Sequence, residues 1–162
     1  MWESRGEIQL ARPLGSVISL PSQPLVAQLT NNQSPWPELM QQDFKFKGYF
    51  LDKQGRPIFN YTFNGLQFSD RTVPSDDNRI LTRTLEYSNG AVPNDLWILI
   101  AVGDKIEQLE DGLYAINNKS YYLRLDGKKQ RGTMLRNING REELLIPGSA
   151  LSAQGLTWSY IW

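Results

Sequence analysis

A chain of 162 residues that is 40% hydrophobic, with five Trp, seven Tyr and six Phe, is long enough to bury a core as a single domain without staples. Its 17 basic and 17 acidic side chains cancel, so no global field draws it to nucleic acid or to an anionic membrane surface. The absence of Cys and His excludes disulfides, thiolate zinc and iron–sulfur sites, covalent haem attachment, the Ser-His-Asp triad and the commonest transition-metal ligand; any catalysis would fall to carboxylates, Lys, Tyr or a hard cation.

In chain order, Glu7 to Arg12 and Ser16 to Leu20 read as short strands around a Pro13/Gly15 turn, and Leu25 to Leu29 as a third. Thr30 to Gln42 is polar, contains Pro35-Trp36-Pro37 and lacks strand periodicity. It reads as the longest ordered loop, with room for one helical turn at Glu38 to Gln42. Phe44, Phe46 and Phe50 alternate with Lys45 and Lys47, the pattern of a strand buried on one face, and Gly48 marks a bulge or a close approach.

After the Asp52 to Gly55 turn, Phe59, Tyr61 and Phe63 form one face of the next strand, and Asn64-Gly65 reverses the chain into Leu66 to Phe68. Val73 to Asn78 reads as a loop and Arg79 to Ser88 as a strand with Leu81, Leu85 and Tyr87 on one face. Leu96 to Val102 is apolar throughout, so it is expected to be a central strand covered on both sides. Gly103 to Asp111 reads as a strand, with a short helix as the alternative, and further strands are read at Leu113 to Ile116, Ser120 to Leu125, Met134 to Ile138, Glu142 to Ile146 and Leu156 to Trp162.

Five pairs, Asn64-Gly65, Asn89-Gly90, Asp111-Gly112, Asp126-Gly127 and Asn139-Gly140, can supply the positive φ of tight hairpins. Roughly twelve to fourteen strands with such turns predict one all-β domain over residues 1–162: an antiparallel β-sandwich, or alternatively a distorted barrel. Leu96 to Val102 and the Phe59/Tyr61/Phe63 face are expected at its centre, so Phe59→Ala is expected to cost roughly 3–5 kcal/mol.

No stretch approaches the ~20 apolar residues of a membrane helix, so no membrane insertion is expected. Met1 to Arg5 has no signal-peptide layout, and the abrupt start and strand-like end suggest a piece of a larger chain.

Four constellations could carry chemistry. Asp70, Asp76, Asp77, Glu86, Glu142 and Glu143 could supply the two acids of a glycoside hydrolase, or sit as solvated charge. Asp70, Asp76, Asp77 and Asn78 offer oxygen ligands for calcium without EF-hand spacing, or act as turn formers. Trp36, Tyr121 and Tyr122 are candidate ligand-binding rings for a carbohydrate. The alternative for Trp36 is a plug folded over the end of the sandwich. Lys128-Lys129-Gln130-Arg131 reads as a solvated turn or a small phosphate patch. Asn32, Asn60 and Asn118 head N-glycosylation triplets that matter only in a eukaryotic secretory pathway.

The run Phe46-Lys47-Gly48-Tyr49-Phe50-Leu51-Asp52-Lys53-Gln54-Gly55-Arg56-Pro57-Ile58-Phe59-Asn60-Tyr61 resembles a stretch found in β-rich accessory domains of large bacterial extracytoplasmic proteins. Those proteins also carry c-type haem domains and sugar-dehydrogenase-like propellers. The resemblance implies an accessory β-domain in an extracytoplasmic, periplasmic, multidomain redox or sugar-processing protein. The function expected of the chain is a non-catalytic interaction module that packs against neighbouring domains or a protein partner, with a carbohydrate-binding module or a carboxylate-based glycoside hydrolase as the alternatives. Without Cys or His, the haem site does not carry over to any residue here, and no cofactor is expected.

Overall fold

The computed structural model describes residues 18, 20–77, 79–125, 132–152 and 154–162. The two earliest predicted strands, the Asp126-Gly127 turn and the Lys128 to Arg131 run lie wholly or largely outside them. Among the described residues twelve strands are formed: β1 (Val26–Gln28), β2 (Lys45–Leu51), β3 (Pro57–Phe63), β4 (Leu66–Pro74), β5 (Ile80–Ser88), β6 (Leu96–Gly103), β7 (Ile106–Glu110), β8 (Leu113–Ile116), β9 (Tyr121–Leu125), β10 (Met134–Ile138), β11 (Arg141–Pro147) and β12 (Leu156–Ile161). The helical content among the described residues is one short 3-10 turn, Gly148–Ala150.

The turn chemistry acts as the dipeptides imply, with two exceptions. Asn64-Gly65 (φ 48° and 80°) and Asn139-Gly140 (φ 54° and 83°) close the β3–β4 and β10–β11 hairpins. Both residues of each pair sit at positive φ, which matches the right-handed twist of the flanking strands. At Asp111-Gly112 only the glycine has positive φ, and the β7–β8 register shifts between Gln108 and Glu110. Asn89-Gly90 has positive φ but closes no hairpin, because it leads from β5 in one sheet to β6 in the other.

All ladders are antiparallel, and they form two sheets. The small sheet has four strands in the order β1-β6-β11-β10; the large sheet has eight, in the order β2-β3-β4-β5-β12-β9-β8-β7. Neither closes on itself, so the fold is a β-sandwich and the barrel alternative is ruled out. The main core lies between the sheets, where Phe63, Leu66, Phe68, Leu85, Leu123 and Trp158 meet Val26, Leu96, Ile98, Ile100, Leu144 and Ile146.

The all-apolar β6 is covered on both sides, as its composition requires. Its outer face packs Leu99, with Ala27, Leu29 and Leu145, beneath Trp36 from the loop after β1. That loop holds no helical turn at Glu38 to Gln42; Phe44 N–H instead closes a tight turn onto the Gln41 carbonyl at 2.9 Å. β4 runs on through Pro74, where a loop was expected.

Two expectations about burial are corrected. Among the described residues β2 pairs with β3 alone, and Phe46 and Phe50 are exposed rather than packed. The bulge at Gly48, between Phe46 and Gly48 in register and with φ 99°, is present. Phe59 is 43% exposed, whereas Tyr61 and Phe63 of the same face are buried. The reason is width. At ordinary interstrand spacing four strands cover about 19 Å and eight span about 38 Å. The inner face of the large sheet therefore runs out from under its cover before it reaches the β2 edge.

Candidate functional site

Where that cover ends, two features meet: an apolar edge and a cavity between the sheets. Cross-strand partners share a face, so Phe46 and Tyr49 of β2 stand beside Tyr61 and Phe59 of β3. Their rings form a graded row. Tyr49 lies 5.9 Å from Phe59 at the exposed end, while Phe44 and Phe68 flank Tyr61 at 5.2 and 5.3 Å at the buried end. Tyr49, Phe50 and Leu51 are 62%, 54% and 58% exposed, and Leu39 and Met40 of the preceding loop are exposed as well.

The cavity has a volume of about 240 Å³. Phe46 and Phe59 form part of its wall, so it opens beside the exposed edge; Ile100 of β6 walls the other side. Asp70 and Arg83 also line it. They come from β4 and β5, one ladder step apart on the inner face. Arg83 Nε donates to Asp70 Oδ1 at 2.9 Å and Nη2 to Oδ2 at 2.5 Å, a two-bond fork. The guanidinium carbon also sits 5.5 Å above the Trp158 ring centre.

Burial works against the Arg83 charge, but the hydrogen bonds and field of Asp70 outweigh it and hold the guanidinium above its usual range. Tyr61 and Gln23 line the same cavity, and the Tyr61 hydroxyl and Gln23 Oε1 are buried with no hydrogen-bond partner among the described residues. Burial, then the nearby Asp70 charge, pushes the Tyr61 hydroxyl well above the usual phenol range.

The residues singled out from sequence as ligand-binding rings do not meet at this site. Trp36 is 4% exposed; its indole N–H donates to the Pro24 carbonyl at 2.8 Å. It is a plug, though over the back of the small sheet rather than the end of the sandwich. Tyr121 is equally buried, 6.1 Å from Tyr160, and burial pushes its hydroxyl up to about 12. Tyr122 alone is half-buried, on the outer face of the large sheet. A sugar-stacking platform needs a free ring face, and neither Trp36 nor Tyr121 offers one. Trp36→Phe should cost about 1–3 kcal/mol in urea unfolding, because it strands the buried Pro24 carbonyl.

The acids disperse too. Asp70 is turned inward to Arg83, away from the Asp76/Asp77 turn where calcium was considered. Asp77 accepts from the Ser75 hydroxyl and the Arg79 N–H. Glu142 accepts from the Ile106 N–H at 2.5 Å, and Glu143 holds Arg136. Among the described residues no three metal-ligating side chains gather.

Asp70 and Arg83 were not foreseen as partners. The signal was present: each interrupts an apolar alternation, Leu66-Phe68-Asp70 and Leu81-Arg83-Leu85, with opposite charge on neighbouring strands. Compared with protein-family models, curated proteins and solved structures, the chain matches none.

Proposed function

We propose that this domain is a non-catalytic interaction module that docks an extended segment of a neighbouring domain or partner protein along β2. One observation carries the reading: an edge strand of seven residues that is apolar and exposed on both faces beyond its bulge. Among the described residues its outer backbone groups have no strand partner, which makes it a template for strand addition. The Lys45/Lys47 end and the bulge guard one half of the edge, while Tyr49, Phe50 and Leu51 carry no charge. The opposite edge, β7, presents Glu107, Gln108 and Glu110 to solvent.

The complementary segment is acidic where it meets Lys45 and Lys47 and apolar where it meets Tyr49 to Leu51. The meander that resembles accessory domains is the same stretch of chain, which supports a docking role and, with it, a periplasmic setting. The burial of Trp36 and Tyr121 leaves the carbohydrate reading with Tyr122 as its one accessible ring among the three candidates.

A photo-crosslinking residue at Tyr49, used in the producing cell, should trap one protein that the same residue at Thr84 does not. Thr84 lies on the outer face of the large sheet. Tyr49→Lys should weaken the trapped complex about 30-fold or more, the loss of one hot spot of ~2 kcal/mol. The melting temperature should barely move, since Tyr49 is a surface residue. Equal trapping at both positions would overturn the reading.

A further inference from the structure

We propose that the partner docked along β2 is a second copy of this chain, joined head to tail through its β7 edge; the inference rests on the docking role proposed for β2. Topology supplies the fit. β2 and β7 are the two edges of the same eight-stranded sheet, and every neighbouring pair across that sheet is antiparallel. Over eight alternating strands the first and the last run in opposite directions. A second copy in the same orientation therefore lays its β7 antiparallel to β2. The ladder continues across the contact, with the covered face of both sheets on the same side.

The side chains match along that line. Antiparallel approach sets the Lys45 end of β2 against the Glu110 end of β7. β2 presents Lys45, Phe46 and Lys47 there, and β7 presents Glu107, Leu109 and Glu110, all exposed. The charged faces agree as well. Lys45 lies opposite Thr62, between the buried Tyr61 and Phe63, so it stands on the outer face. Glu107 and Glu110 lie opposite Ala115 and Leu113, which flank the core residue Tyr114, so they stand on the outer face too. The Ile106 end of β7 is closed, because its N–H donates to Glu142 at 2.5 Å. The open part of β7 is thus the part that meets the lysines.

Like edges do not serve each other. A β7–β7 pair sets Glu107 and Glu110 against the same acids of the other copy. A β2–β2 pair offers Lys45 and Lys47 no acid, since none lies between Lys45 and Leu51. Charge therefore selects β2 with β7, while backbone hydrogen bonds and the apolar edge supply affinity. The zero net charge removes any general repulsion between copies. The contact joins two different patches, so it repeats from copy to copy and growth continues past the dimer.

Sedimentation of the whole chain should show a mass that rises past the dimer with concentration. It should fall back as sodium chloride is raised from about 0.05 to about 0.5 M, because the paired charges are exposed. Lys45→Glu/Lys47→Glu and Glu107→Lys/Glu110→Lys should each weaken association about tenfold or more, since each sets like charges across the contact. A one-to-one mixture of the two variants should restore it, because the reversed β2 of one meets the reversed β7 of the other. A variant that merely unfolds gives no such rescue.

A wild-type chain that stays monomeric up to about 1 mM would overturn the proposal. So would a closed dimer indifferent to both variants, or a mixture no more associated than its parts. The photo-crosslinker at Tyr49 separates self-association from docking as such: it should trap a second copy through β7. A different protein trapped there would leave docking along β2 standing and remove the second copy as its partner. Equal trapping at Thr84 would remove both.

Discussion

Arg136→Leu is expected to cost about 3–5 kcal/mol, with Glu143→Leu alone costing a similar amount. Arg136 of β10 and Glu143 of β11 are direct cross-strand partners. Their side chains are only 6% and 9% exposed, with Arg136 Nη2 2.6 Å and Nε 2.8 Å from Glu143 Oε2. Removing either partner strands the other as a buried, unpaired charge, and that desolvation penalty dominates the loss.

For a domain of this size such a cost lowers the melting temperature by roughly 6–20 °C. The double variant Arg136→Leu/Glu143→Leu should recover most of it, because two buried apolar groups carry no such penalty. Arg136 Nη1 also donates to the Asn32 carbonyl at 3.0 Å. It therefore ties down the loop that carries Trp36 over the back of β6. In Arg136→Leu the Trp36 indole should become more open to a fluorescence quencher than in the wild type. A single variant that costs under about 1 kcal/mol, or a double variant as damaged as the singles, would refute this account.

Phe63→Ala is expected to cost about 3–5 kcal/mol and Phe59→Ala about 1 kcal/mol. The two residues share one face of β3, four positions apart, and sequence alone ranks them as equals. Phe63 is 2% exposed in the core opposite Leu66, so its truncation leaves a cavity that the surrounding strands cannot fill. Phe59 is 43% exposed at the mouth of a cavity that already exists, so its truncation mostly enlarges open space. Urea unfolding of both variants measures the difference. Equal costs would mean that the large sheet is covered evenly out to β2.

That contrast shows how far the sequence can be read. Alternation identified the strands because successive side chains point to opposite faces, a rule set within two residues. It assigned Phe46 and Phe50 to a buried face because phenylalanine is usually buried, and the edge position of β2 reversed that. Tyr121 and Tyr122, adjacent in β9, lie on opposite faces. The inner-facing Tyr121 is sealed against Tyr160, a contact made only once β9 and β12 pair.

Asp70 and Arg83 were legible only in part: each is visibly out of place in an apolar series, but their attraction depends on β4 and β5 lying side by side in one register. The cavity has no sequence signature at all. It exists because Pro21 to Leu25, β6 and the β2–β5 strands converge without filling the space between them.

The sequence by itself determined the all-β class, most strand positions, the two Asn-Gly hairpins and the double coverage of β6. Those properties arise from backbone torsions and side-chain alternation over a few residues. Only the tertiary structure decided the strand order, the unequal widths of the two sheets, the bare β2 edge and the cavity beside it. Those depend on which distant strands pair and on how far one sheet reaches over the other, and no local interaction encodes either.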